Sequence, residues 1–110
     1  VENNKMELKT SDIREFIKTL LVKLDNLDIA ISFTLDEDVY WNILDEELYD
    51  AYKDPVGLTM GSLADDWSFL QAVLKGKREI VDYDLYKLAA ILRFLGKKKI
   101  ITKAQNQNTI

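Results

Sequence analysis

The chain has 110 residues, 47% of them apolar and 31% charged, with one proline and four glycines. That length suits one domain and is short for two, the composition is that of a packed protein, and so few turn formers speak against a many-stranded sandwich or barrel. With no cysteine and no histidine, disulfides, thiolate metal sites, cysteine nucleophiles and imidazole bases are excluded, and with them most familiar catalytic constellations.

Residues 1–9 are polar and read as loose, and Val1-Glu2-Asn3-Asn4-Lys5 lacks the apolar core of a signal peptide. Asp12 and Glu15 form a capping pattern, with Ser11 as an alternative cap. Ile13, Phe16, Ile17, Leu20, Leu21 and Leu24 follow at helical spacing, with Arg14, Lys18 and Lys23 on the other side. A helix over Asp12–Leu24 is expected.

The period then drops to two. Leu27, Ile29, Ile31, Phe33 and Leu35 alternate with smaller or polar residues, as in a strand with one buried face. Val39, Trp41 and Ile43 alternate with Tyr40 and Asn42, so 36–38 is expected to close a hairpin over Leu27–Ile43. A competing reading makes Val39–Tyr52 helical; a short strand followed by a helical segment near Asp45–Tyr52 is preferred. Asp54-Pro55-Val56-Gly57 is a turn by composition.

Helix signals resume at Thr59 and Ser62, with Ser62 and Asp65 as a cap. Leu63, Trp67, Leu70 and Leu74 give the apolar stripe, and Gly76 is placed to end the helix. Asp82 or Asp84 caps a last helix, with Leu85, Leu88, Ala89, Leu92 and Leu95 along one face and Ile91, Phe94 and Tyr86 widening it. Gly96 is expected to end it, with Lys97–Lys99 suited to the negative helix terminus. The tail from Gln105 reads as frayed. These elements predict an α+β fold, mainly α, with three core helices and a small β-hairpin packed on one side. It is expected to form one domain over residues 1–110, ordered over about 10–100.

The net charge of −4 is unevenly spread. Residues 1–66 carry sixteen acids and six bases, and residues 67–110 carry three acids and nine bases. Between Asp25 and Asp66 only Lys53 opposes twelve acids. The halves either neutralise each other on folding or leave a negative surface for a basic partner, where charge would speed and select association. Lys75, Lys77, Arg78, Lys97, Lys98, Lys99 and Lys103 are the residues available to nucleic acid, but a pI near 4.8 is far from a nucleic-acid footprint.

The densest polar cluster is Glu46, Glu47, Asp50, Asp65 and Asp66, with Tyr40, Trp41, Tyr49, Tyr52 and Trp67 among them. Paired carboxylates serve acid/base work when burial separates their pKa values, and Asp50, Asp65 and Asp66 are the residues available to a divalent cation. The calcium-loop pattern, the phosphate-binding glycine loop and activated-serine motifs are all missing. Asp65 and Asp66 in a first helical turn are equally explained by the helix dipole. Trp41 and Trp67 suit a core.

Tyr40-Trp41-x-Ile43, Glu47-Leu48-Tyr49-Asp50-x-Tyr52, Asp54-Pro55 and Leu58-Thr59-x-Gly61-x-Leu63-x-Asp65-Asp66-Trp67 together resemble a group of small uncharacterised bacterial proteins. Tyr83-Asp84-Leu85 and Leu88-x-x-Ile91-Leu92 fit the same pattern, which covers roughly Ile13–Gly96. The resemblance implies a protein class without an assigned activity. It singles out Tyr40, Trp41, Tyr49, Asp50, Asp65, Asp66 and Trp67 as one constellation.

The expected function is a non-enzymatic, cytoplasmic interaction or regulatory protein, with no cofactor and no membrane span. Its contact residues are Tyr40, Trp41, Glu46, Glu47, Tyr49, Asp50, Asp65, Asp66 and Trp67. A carboxylate site for a divalent metal or small ligand is the alternative. A homodimer through the wide apolar face of the last helix is a third reading.

Overall fold

The structure, a computed structural model, describes residues 5–27 and 34–102. They fall into two compact units, 5–27 with 99–102, and 34–98. The elements are helix α1 (Thr10–Asp25), strand β1 (Val39–Ile43), the one-turn helix α2 (Asp45–Leu48), strand β2 (Leu58–Ser62), and helices α3 (Leu63–Leu74) and α4 (Asp82–Lys97). The architecture is α+β and mainly helical.

In the first unit, α1 begins earlier than its capping pattern suggests. Lys9 is the N-cap without a side-chain bond, and its carbonyl accepts from the Asp12 N–H at 3.0 Å. Asp12 and Lys23 lie in the first and last turns, where their charges complement the helix dipole. Its stripe is amphipathic as expected, yet no residue of α1 is buried.

In the second unit, β1 pairs antiparallel with β2 in a register that sets Val39 opposite Ser62, Tyr40 opposite Gly61, Trp41 opposite Met60 and Ile43 opposite Leu58. Among the described residues the partner of β1 follows it in the chain, and Leu58–Ser62 is a strand where a helix start was read. Most of the strand expected over Leu27–Leu35 lies outside the described residues. The intervening 44–57 segment is tied back by Glu47, whose Oε1 accepts from the N–H groups of Val56 and Gly57 at 3.1 and 2.8 Å. The segment near Asp45–Tyr52 is helical only as far as Leu48.

Helix α3 starts where the Ser62 and Asp65 pattern places it. The Ser62 hydroxyl accepts from the Asp65 N–H at 3.2 Å, and Asp38 adds a second cap by accepting from the Ala64 N–H at 2.7 Å. Asp38 also accepts from the Ser62 hydroxyl at 2.9 Å. The helix ends in a Schellman motif at Gly76, which has φ of +70°. There the Lys77 N–H donates to Ala72 at 2.9 Å and the Gly76 N–H to Val73 at 3.0 Å. Helix α4 departs from expectation at both ends. Its N-cap is Val81 rather than Asp82 or Asp84, and Gly96 lies inside it, with Lys99 taking the left-handed conformation at φ of +56°.

The buried apolar core joins Leu63 of α3 to Ile91 and Phe94 of α4, with Leu35, Tyr40, Leu70 and Ala90 packed against it. Within this unit the buried set draws on α3 and α4, and each helix departs in part from its apolar stripe. Helix α3 buries Leu63 and Asp66 while Trp67 is 46% exposed. Helix α4 buries Asp84, Ile91 and Phe94 and leaves Leu85, Leu88 and Leu92 exposed. On α3 the change is local, Asp66 taking the inward place of Trp67 while Leu63 and Leu70 stay in the core; on α4 the inward side is the Ile91 and Phe94 edge, and each helix carries a buried aspartate. Among the described residues, no helix is long and apolar enough to cross a membrane.

Candidate interaction site

A buried aspartate sits on the inward side of each of α3 and α4. Asp66 is 2% exposed. A carboxylate taken out of water must be paired and hydrogen-bonded. Tyr40 donates its phenol proton to Asp66 Oδ2 at 2.5 Å, and Lys87 of α4 donates to Oδ1 at 3.1 Å. Tyr40 reaches α3 because its cross-strand neighbour is Gly61; a Cβ there would overlap the Tyr40 ring. One strand, one glycine, one helix turn and one lysine thus meet at a single carboxylate. Burial, and then the hydrogen bond and charge of Asp66, push the Tyr40 phenol well above its ordinary value. The group is held as a proton donor and is not poised to act as a base.

Asp84 is buried in the same manner by Arg78. The guanidinium donates to Oδ1 at 2.6 Å and to Oδ2 at 3.1 Å, and its NH2 group also donates to the Phe69 carbonyl at 2.7 Å. Its centre lies 3.7 Å from the Phe69 ring centroid, a stacked arrangement that a lysine does not reproduce. Asp84 Oδ2 in addition accepts from the Val81 N–H at 2.7 Å, closing the first turn of α4. The Arg78 hydrogen bonds, with that N–H, hold the Asp84 carboxyl below the usual range. Both aspartates therefore serve the fold.

With Tyr40 and Asp66 inside, the other face of the β-ribbon looks outward. Val39, Trp41 and Ile43 alternate with Tyr40, so with Met60 and Leu58 they share that face. Trp41 is 68% exposed and Met60, directly opposite, is 65% exposed. This corrects the expectation that both tryptophans fill the core. Val39, Tyr40, Trp41 and Met60 line a shallow cavity of about 180 Å³. That is below the roughly 300–1,000 Å³ of small-molecule pockets.

The remaining candidates divide by location. Tyr49 is 86% exposed just after α2, and Glu46 and Asp65 are exposed on α2 and on the first turn of α3. Glu47 is half-buried in its clasp on Val56 and Gly57, and Asp50 is half-buried in the turn after α2. Asp50, Asp65 and Asp66 do not assemble. Among the described residues, no group of three acidic side chains is placed to hold a metal ion. The sequence constellation is thus split: Tyr40 and Asp66 face inward, and Trp41, Glu46, Tyr49, Asp65 and Trp67 face solvent.

Among the described residues, three ion pairs join the acidic and basic halves of the chain: Lys87 with Asp66, Lys97 with Glu37 and Lys98 with Asp36. The lysines at the end of α4 are therefore engaged by the segment preceding β1. In the sequence Lys87 goes unnamed and Asp38 has only a place in a turn, while Asp84 reads as a helix cap, Arg78 as part of a basic set and Gly61 as part of the resemblance, with none of them paired. Their one signal was an aspartate interrupting the i, i+3, i+7 row Leu63, Asp66, Leu70, where a buried acid demands a partner.

No protein-family model, curated protein or solved structure matches the chain.

Proposed function

We propose that this protein is a non-enzymatic interaction module that captures a basic protein partner through the surface of its 36–66 segment. The observation that carries the reading is Trp41, a large aromatic side chain exposed to solvent on the outer face of the ribbon. Exposed tryptophan and tyrosine are the usual energetic anchors of interfaces. The 36–66 segment has Lys53 as its one base; Asp36, Glu37 and Asp66 are paired with lysines, and Glu46 and Asp65 stand as exposed carboxylates. Such a field selects basic partners and raises their association rate. The absence of histidine and cysteine from the sequence and the structural use of Asp66 and Asp84 favour binding over catalysis. A cytoplasmic setting and membership of the group of small bacterial proteins are parts of the same reading.

The test is affinity capture from host lysate at low and high salt, with wild type beside a Glu46→Lys/Asp65→Lys variant. The reading expects a basic protein that is retained at low salt, released at high salt and missed by the variant. Capture that is indifferent to both changes would refute it.

A second reading is favoured by one specific observation. Leu85, Leu88 and Leu92 form an exposed leucine row on α4, opposite in chemistry to an ordinary solvated helix face. A second copy of the chain covering that row gives a homodimer. Light scattering separates the two, since a monomer mass at high micromolar concentration removes the dimer and leaves the interaction module.

A further inference from the structure

The outer ribbon face has a shape and charge pattern that specify the partner more closely, given the basic-partner reading above. The apolar strip Val39, Trp41 and Met60 belongs to paired five-residue strands, about 17 Å long. Carboxylates stand at both of its ends. Asp65 follows Ser62, the cross-strand partner of Val39, and is exposed. Asp45 and Glu46 follow Ile43 at the other end and are exposed. Between them the cavity of about 180 Å³ bounded by Val39, Tyr40, Trp41 and Met60 has room for one apolar side chain.

We infer that this face is the docking site for a short amphipathic helix of a partner protein, anchored by an apolar residue and flanked at both ends by lysine or arginine. A sheet face presents side chains, whereas strand addition uses the N–H and C=O groups of a sheet edge. A helix suits the face because about 11 residues span the strip. Its apolar residues at i and i+4, about 6 Å apart, match Val39 and Trp41 along the strand, with Met60 opposite Trp41. Basic residues a turn beyond them reach Asp65 at one end and Glu46 at the other. Met60 beside Trp41 supplies a polarisable surface that adapts to different apolar anchors. The anchor sits on the side of the ribbon away from the Tyr40 to Asp66 bond, so binding leaves that junction intact.

The experiment is selection of a displayed random 12-residue peptide library against the full chain. Enriched peptides are then measured by calorimetry on wild type, Trp41→Ala, Met60→Ser and Glu46→Lys/Asp65→Lys. The expected result is peptides with an apolar anchor between basic residues. Their affinity should fall at least tenfold with Trp41→Ala and with the charge reversal, without loss of the protein's thermal midpoint. Basic peptides insensitive to Trp41→Ala overturn the docking face while leaving the acidic-surface reading standing. Peptides lacking basic residues, or no enrichment at all, overturn both. A wild-type dimer dissolved by Trp41→Ala overturns the inference in favour of a second copy as the occupant.

Discussion

Tyr40 and Asp66 lie 26 positions apart in the chain and meet through a 2.5 Å hydrogen bond across the surface of Gly61. The bond ties the ribbon to α3, and Lys87 extends it to α4. Removing the phenol oxygen by Tyr40→Phe leaves a buried carboxylate short of one donor. Because hydrogen bonds to charged groups contribute about 1.5–3 kcal/mol, the variant should lose about 2 kcal/mol in urea denaturation at neutral pH.

The same bond sets an alkaline limit. A phenol whose folded pKa is raised contributes stability that is present below its unfolded value of about 10 and is lost as pH rises toward the folded value. Wild-type stability should therefore fall between pH 9 and 11 more steeply than that of Tyr40→Phe. Equal slopes for the two proteins would show that the phenol is not held by Asp66.

Gly61 is required by the ring above it rather than by its own backbone angles. Gly61→Ala should cost roughly 1–3 kcal/mol through overpacking and displace Tyr40 from Asp66. In a Tyr40→Ala background the added methyl meets no ring. The second alanine should then cost much less, a non-additivity that a double-mutant cycle measures directly.

Arg78→Lys should lower the thermal midpoint by several degrees, although it preserves charge. A lysine cannot keep the bidentate pair with Asp84, the Phe69 carbonyl bond and the ring stacking together. The pair also has an acid signature. The Asp84 carboxyl is lowered by Arg78, so its contribution is present above the ordinary aspartate value and lost as pH falls through the folded one. The acid limb of wild type, followed by circular dichroism, should lie at lower pH than that of Arg78→Lys once each is normalised to neutral pH.

Substitutions on the outer face should leave stability nearly unchanged. Trp41→Ala, Tyr49→Ala and Leu88→Gln remove exposed side chains and should alter the unfolding free energy by less than about 1 kcal/mol each. A loss of several kcal/mol for Trp41→Ala would mean that the indole belongs to the core.

Much of the fold is legible in the sequence where local chemistry decides it. The Ser62 and Asp65 cap, the left-handed Gly76 and the alternation of Val39, Trp41 and Ile43 each act within a few residues. The inward aspartates of α3 and α4 are not legible, because hydrophobicity ranks Trp67 and Leu85 above Asp66 and Asp84. The aspartates are buried because Tyr40, Lys87 and Arg78 come to them from elsewhere in the fold, and no periodicity reports that. Strand β2 was hidden for a related reason. Thr59-Met60-Gly61 has little strand signature, and its glycine is explained only by the ring of Tyr40 on the paired strand. The candidate site is read as one constellation from the resemblance, which carries no information on which way each side chain faces. Strand alternation places Tyr40 and Trp41 on opposite faces, which divides structural from exposed members.

The central claim, that Trp41 is the anchor for a basic partner, is tested most directly by fluorescence. A Trp67→Phe variant leaves Trp41 as the lone indole, and acrylamide quenching is measured before and after addition of a captured partner or selected basic peptide. The account predicts a blue-shifted emission and a several-fold drop in quenching at low salt, both reversed at high salt. Binding that leaves Trp41 emission and quenching unchanged would contradict it.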